Sequence, residues 1–149
     1  MYTNIASLNR EKLIEFQHRV YTTKPDIILL TETWLTDTIN DNYHGLQHLY
    51  STIRCDRKSS SKSRGGGVMA LVKYGLHYQK VQCDCEESVS LQIHSNGRTI
   101  NVIVIYRPPD CDIEENQLIL QEIMKITTFK RIIVGDFNLP DVEDRKSVV

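Results

Sequence analysis

No apolar run in this 149-residue sequence approaches the length of a membrane span. No charged stretch followed by an apolar core opens the chain as a secretion signal does. These absences predict that the protein is neither secreted nor inserted in a membrane. Cysteine is scarce. Cys55, Cys83, Cys85 and Cys111 are too few for a disulfide-dense scaffold. Cys83-x-Cys85 has neither the spacing nor the partner pair of a zinc site. The expectation is reduced thiols in a nuclear or cytoplasmic protein. Charge of either sign is not in excess: 18 basic against 19 acidic residues leave a formal net charge of −1. That excludes a general polyanion-coating protein and leaves room for a local basic patch. There is no internal repeat.

What is present is ordinary globular material, with 40% apolar and 25% charged residues. The length suits one domain or part of one, and a real core can be buried. A first strand is expected over 2–7. A helix is expected over 9–22, capped by Asn9, with Glu11 in its first turn and Leu13, Phe16, Gln17 and Val20 on one face. Lys24-Pro25 ends it. Residues 26–32 read as a buried strand finishing in the carboxylate of Glu32, and the polar stretch to Asp41 as a loop or a helical turn. Further strands are expected over 48–54, 68–72, 76–82, 88–94 and 99–106. Asn96-Gly97 is a hairpin signal. Residues 113–127 read as a helix with Ile119, Ile123 and Ile126 on one face. Residues 54–67 read as a flexible, basic, glycine-rich loop, and 142–149 show no periodicity. The order predicts a mixed sheet with helices packed outside.

The chain is organised around Ile132-Ile133-Val134-Gly135-Asp136-Phe137-Asn138-Leu139-Pro140. It reads as the end of a buried strand, a glycine that permits close approach, then Asp136 and Asn138 projecting the same way while the chain stays extended. Such an end suits a hard cation and a phosphate; a strand followed by an Asx-type turn is the plainer reading. Other strands also end in polar groups. Asn4 sits in the first, Thr31-Glu32-Thr33-Trp34-Leu35 closes the second, and Tyr106-Arg107-Pro108-Pro109 closes the long one. Apolar strands that each deliver a polar group to one edge are a site-building pattern.

These blocks, with Arg64-Gly65-Gly66-Gly67-Val68 between them, come in an order that resembles the endonuclease/exonuclease/phosphatase superfamily. In particular the chain is similar to the abasic-type endonuclease domain of non-LTR, LINE-like retrotransposons. The resemblance implies an α/β fold: two mixed β-sheets packed as a sandwich and flanked by helices. It implies Mg²⁺, or Mn²⁺, held by Glu32 and the amide oxygen of Asn4, since Mg²⁺ takes oxygen ligands and keeps several waters. Asp136 is then expected to orient and deprotonate the attacking water, Asn138 to bond the phosphate or that water, and Tyr106 to donate to a phosphate oxygen. The implied reaction is phosphodiester hydrolysis that nicks DNA and leaves a 3′-hydroxyl. DNA, through its phosphate backbone, is the implied partner, along with the reverse transcriptase of a parent polyprotein.

Alternatives stand beside these roles. Asn4 can bond only its own backbone, Tyr106 can be a core aromatic, and Trp34 reads as core. Arg107 either adds charge or belongs to a rigid turn. Arg57, Lys58 and Arg64 either touch phosphate or are merely solvated. The family also closes with a Ser-Asp-His motif, whereas His18, His44, His48, His77 and His94 all precede Asp136. The expectation is therefore a partial domain spanning 1–149, lacking its C-terminal part, with an incomplete second sheet, an open edge and an exposed apolar face. A catalytically inactive relic, or a phosphodiesterase of the same superfamily acting on a phospholipid, are the competing functions.

Overall fold

A computed structural model describes residues 1–58, 65–125 and 130–139. Among the described residues, eight strands and two helices run in the order β1 (Tyr2–Asn4), α1 (Arg10–Thr23), β2 (Ile27–Thr31), β3 (Tyr50–Cys55), β4 (Val68–Lys73), β5 (His77–Val81), β6 (Ser88–Ser95), β7 (Arg98–Tyr106), α2 (Ile113–Lys125) and β8 (Arg131–Asp136). A 3₁₀ turn, Asp41–His44, lies between β2 and β3. The expected Ile126 and the segments 59–64 and 140–149 lie outside the described residues, so Arg64 and Pro140 do too. Among the described residues no helix is long and apolar enough to cross a membrane.

Local chemistry sets the helix ends. The Asn9 side chain accepts the Lys12 N–H at 3.1 Å, which satisfies a donor the first turn leaves open. Lys24 turns left-handed at φ +46° and returns its N–H to the Val20 carbonyl at 2.8 Å, ahead of Pro25. The Asn96-Gly97 hairpin forms as expected, with both residues at positive φ (+51° and +70°).

The strands form two mixed four-stranded sheets, ordered β1-β2-β4-β3 and β5-β6-β7-β8. They pack face to face over Leu29, Ala70, Val72, Val89, Leu91, Val102 and Val104. The outer face of the first sheet, with Ile28, Leu30, Met69 and Leu71, packs against Phe16 and Val20 of α1. The outer face of the second, with Ile103 and Ile105, packs against Ile119 and Ile123 of α2. The architecture is therefore a sandwich between two helices.

Three expectations change. The first strand stops at Asn4, because Ala6 and Ser7 take positive φ (+44° and +85°) and leave the ladder. The strand before Asp136 is half-buried rather than buried. Among the described residues β8 pairs only with β7, at the sheet edge, and Ile132 is 48% exposed. Trp34 is exposed, not core.

Topology brings the polar strand ends together. β1 runs parallel to β2, and β7 parallel to β8. In register, Asn4 lies beside Thr31 and Tyr106 beside Asp136. The C-terminal ends of the four strands thus fall at one end of the sandwich.

Candidate active site

Asn4 and Asp136 meet across the two sheets. The Asn4 Nδ2 donates to Asp136 Oδ2 at 2.8 Å, while its Oδ1 accepts the Ala6 N–H at 3.0 Å. The local Asx-type bond and the long-range bond thus coexist, and together they fix which way the amide faces.

Glu32 follows β2 at φ +57°, and Trp34 is also left-handed at φ +56°. Such a turn in non-glycine residues persists only where its surroundings hold it. They do so from both sides. The Glu32 and Thr33 carbonyls accept the Ser7 and Leu8 N–H groups at 2.7 and 2.9 Å. The Thr33 and Trp34 N–H groups donate to the Gly67 and Gly66 carbonyls at 3.2 and 3.0 Å. The Trp34 indole N–H then donates to Glu32 Oε2 at 2.8 Å and steadies the carboxylate.

Tyr106 is buried at the end of β7. Burial, followed by the nearby Glu32 carboxylate, raises its phenol above the ordinary tyrosine range, with Glu87 and Asp136 adding to the rise and Arg57 opposing it. The phenol therefore stays protonated, as a hydrogen-bond donor. Gly135 lets β8 lie against β7 here, since a Cβ would run into the Ile105 carbonyl.

The structure gathers Asn4, Glu32, Tyr106 and Asp136. Asn138 stands two residues beyond, left-handed at φ +41°, and its amide nitrogen is turned to the Arg107 carbonyl at 2.8 Å. Arg107 is buried and braces the same loop. Its Nη1 donates to the Asn138 carbonyl at 2.8 Å, its Nε to Asn116 at 2.7 Å, and its backbone N–H to the Asp136 carbonyl at 2.8 Å. Arg57 is held by Glu87 through Nε at 2.7 Å and Nη2 at 3.2 Å. Lys58 makes an exposed pair with Glu86 at 2.9 Å.

Sequence reasoning missed Glu87, a buried carboxylate, and the part Gly66 and Gly67 play under the Glu32 turn. The triple glycine was the only available signal; a Glu-Glu pair before a strand carries none.

The donors here are carboxylate and amide oxygens, and among the described residues no group of three His, Cys, Asp or Glu side chains could hold a metal. A set this sparse and this hard does not fit zinc, which takes four ligands rich in nitrogen and sulfur. It fits Mg²⁺, which binds through one or two carboxylates and keeps its waters.

The model of the Endonuclease/Exonuclease/phosphatase family matches residues 1–147. The chain belongs to this family. Solved structures agree on the fold. The endonuclease domain of TRAS1, a telomere-specific non-LTR retrotransposon, is 16% identical at a TM-score of 0.63, over 92% of this chain and 57% of that one. The human Nocturnin catalytic domain with bound sulfate is 16% identical at 0.61, over 95% and 64%. An AP endonuclease from Archaeoglobus fulgidus is 19% identical at 0.59, over 93% and 56%. The chain thus spans roughly three-fifths of the length of each of these structures. No curated protein matches it significantly.

Proposed function

We propose that this chain is the metal-side portion of a Mg²⁺-dependent, retrotransposon-type DNA endonuclease that hydrolyses one phosphodiester bond and leaves a 3′-hydroxyl. The observation that carries the reading is the bond from Asn4 to Asp136, with Glu32 and Tyr106 at the same sheet ends. The likeness to the TRAS1 endonuclease domain supports DNA as the substrate, and Mn²⁺, which takes the same oxygen ligands, is a natural substitute cation.

Glu32 and the side-chain amide oxygen of Asn4, which keeps a lone pair beside its bond from the Ala6 N–H, are the groups that would hold the cation. Bound there, it supplies positive charge that neutralises the scissile phosphate and stabilises the leaving oxygen. Asp136 is the general base. Asn4 fixes one carboxylate oxygen, and the other takes the proton of the attacking water. Water oxygen bonds to phosphorus as the bond to the 3′-oxygen breaks, and the departing 3′-oxygen takes a proton from solvent to become the 3′-hydroxyl. Tyr106 donates its phenolic hydrogen to a non-bridging oxygen, where charge accumulates. Asn138 and Arg107 hold the segment that follows Asp136 at the end of β8. Lys58, exposed and paired with Glu86, would add to phosphate attraction. A reverse transcriptase of the same parent polyprotein would be the chain's partner.

The test is nicking of supercoiled plasmid by the purified chain, run beside a phospholipid phosphodiester. Nicking in Mg²⁺ that stops with EDTA and with Glu32→Ala, yielding ends a polymerase extends, supports the proposal. Nicking that survives Glu32→Ala, turnover of the lipid alone, or no turnover of either substrate contradicts it.

A further inference from the structure

We infer that Glu87 is a positioning residue that, through Arg57, fixes the Tyr106 phenol against the phosphate and ties it to the Glu32 turn. This rests on the nuclease reading above and extends it to residues outside the strand-end motifs.

The geometry is specific. Glu87 is 4% exposed. Its Oε1 accepts Arg57 Nε at 2.7 Å and the Gly67 N–H at 3.1 Å, and its Oε2 accepts Arg57 Nη2 at 3.2 Å. The carboxylate and guanidinium thus meet in a two-point fork, which sets angle as well as distance. Held this way, the Arg57 Cζ lies 5.7 Å from the centre of the Tyr106 ring. The Glu87 carbonyl also accepts the Tyr106 N–H at 3.0 Å. One residue therefore grips Tyr106 twice, by backbone and through the guanidinium.

The same carboxylate reaches the metal side. Gly67, whose N–H it accepts, receives the Thr33 N–H on its carbonyl, and Gly66 receives that of Trp34. Gly66 makes the approach possible. At φ +75°, a Cβ there would collide with Glu87 Oε1 and stand 2.6 Å from Arg57 Nε. The loop is shaped around the ion pair.

Stability alone does not call for such a pair. Taking a carboxylate and a guanidinium from water is costly, and apolar residues of similar volume often serve the fold as well or better. What the pair supplies is direction, placing the phenol and the Glu32 turn in one rigid frame. A misplacement of about 1 Å at a reacting centre can cost on the order of a hundredfold in rate.

The experiment is a double-mutant cycle in the nicking assay, with Glu87→Gln, Arg57→Lys and Tyr106→Phe, each checked for folding by circular dichroism. Positioning predicts that Glu87→Gln and Arg57→Lys lower kcat by about ten- to a hundredfold with KM little changed. It also predicts that most of this loss disappears in the Tyr106→Phe background. A readout free of turnover is the ¹³Cζ resonance of Tyr106, assigned by its disappearance in Tyr106→Phe. It moves in both variants if the three groups form one unit. An unmoved resonance, or equal losses with and without the Tyr106 hydroxyl, overturns the inference. If the wild-type chain nicks nothing, the nuclease reading falls on its own, and a displaced resonance still supports the coupling.

Discussion

The Asn4 amide and the Asp136 carboxylate, 132 residues apart in sequence, are joined by a 2.8 Å hydrogen bond that closes the two sheets at one end. The bond is exposed, so its share of stability is small, on the order of 1 kcal/mol. Its share of function is large if Asp136 needs a fixed direction. Asn4→Ala and Asp136→Asn should each leave the melting temperature within a few degrees of wild type. Each should lower nicking about a hundredfold or more. Equal, modest losses of stability and activity would show that the bond only holds the sheets.

Arg107 and Lys58 should separate cleanly. Arg107 is buried and its donors are committed to Asn116, Pro108 and the 137–138 loop. Arg107→Ala leaves those acceptors unpaired and should cost about 2–4 kcal/mol, read by urea denaturation. Lys58 is exposed and should cost almost nothing. In DNA binding the order reverses. Lys58→Ala should flatten the dependence of log K on log salt by about one unit of slope, whereas Arg107→Met should not change it.

His44 sets a pH limit on stability. It is fully buried in the 3₁₀ turn. Its Nδ1 accepts the Leu46 N–H at 3.0 Å and its Nε2 meets the Thr52 hydroxyl at 2.8 Å. A proton on Nδ1 would oppose the Leu46 N–H. Burial accordingly pushes the imidazole below its ordinary 6.5, with Asp41 opposing. The folded state therefore binds this proton less readily than the unfolded chain. Stability from this group is complete above about 6.5 and is lost as pH falls below it, with a limiting slope of about 1.4 kcal/mol per pH unit. Urea unfolding at pH 7.5 and 5.5 should show the decline in wild type and a shallower one in His44→Gln. An unchanged decline would place its origin elsewhere.

Gly66→Ala is the conservative change with a disproportionate effect. The new methyl meets Glu87 and Arg57, and the backbone is left-handed there. A loss of about 2 kcal/mol or more in stability is expected, along with loss of nicking. Gly75 has the same sign of φ with open space around it. Gly75→Ala should cost only about 1 kcal/mol and leave nicking intact. Equal effects of the two variants would remove the steric argument.

Much of this was legible before any coordinates. Asn9 and Lys24-Pro25 marked the ends of α1, and Asn96-Gly97 marked its hairpin, because these residues act on their own backbone neighbours. The strand-end residues were legible as a set through their order along the chain. What the sequence hid was non-local. Nothing near Ile132 says that β8 lies at an edge, since exposure depends on which strand pairs with which. Nothing near Arg57 names Glu87, thirty residues on. Ala6, Ser7, Glu32 and Trp34 take positive φ without being glycine, held there by tertiary hydrogen bonds. Composition alone places the triple glycine in a flexible loop, whereas Gly66 and Gly67 carry the backbone bonds that set the Glu32 turn.

The proposal that the strand ends around Asn4, Glu32 and Asp136 would hold a cation is tested most directly by Mn²⁺ titration, read as paramagnetic broadening of backbone amide signals. The amides of Asn4, Glu32 and Asp136 should broaden first, and Glu32→Gln should raise the Mn²⁺ needed at least tenfold. Earliest broadening at Asp84, Glu86, Asp112 and Glu115, which line the acidic cavity beside Tyr106, or broadening indifferent to Glu32→Gln, would contradict it.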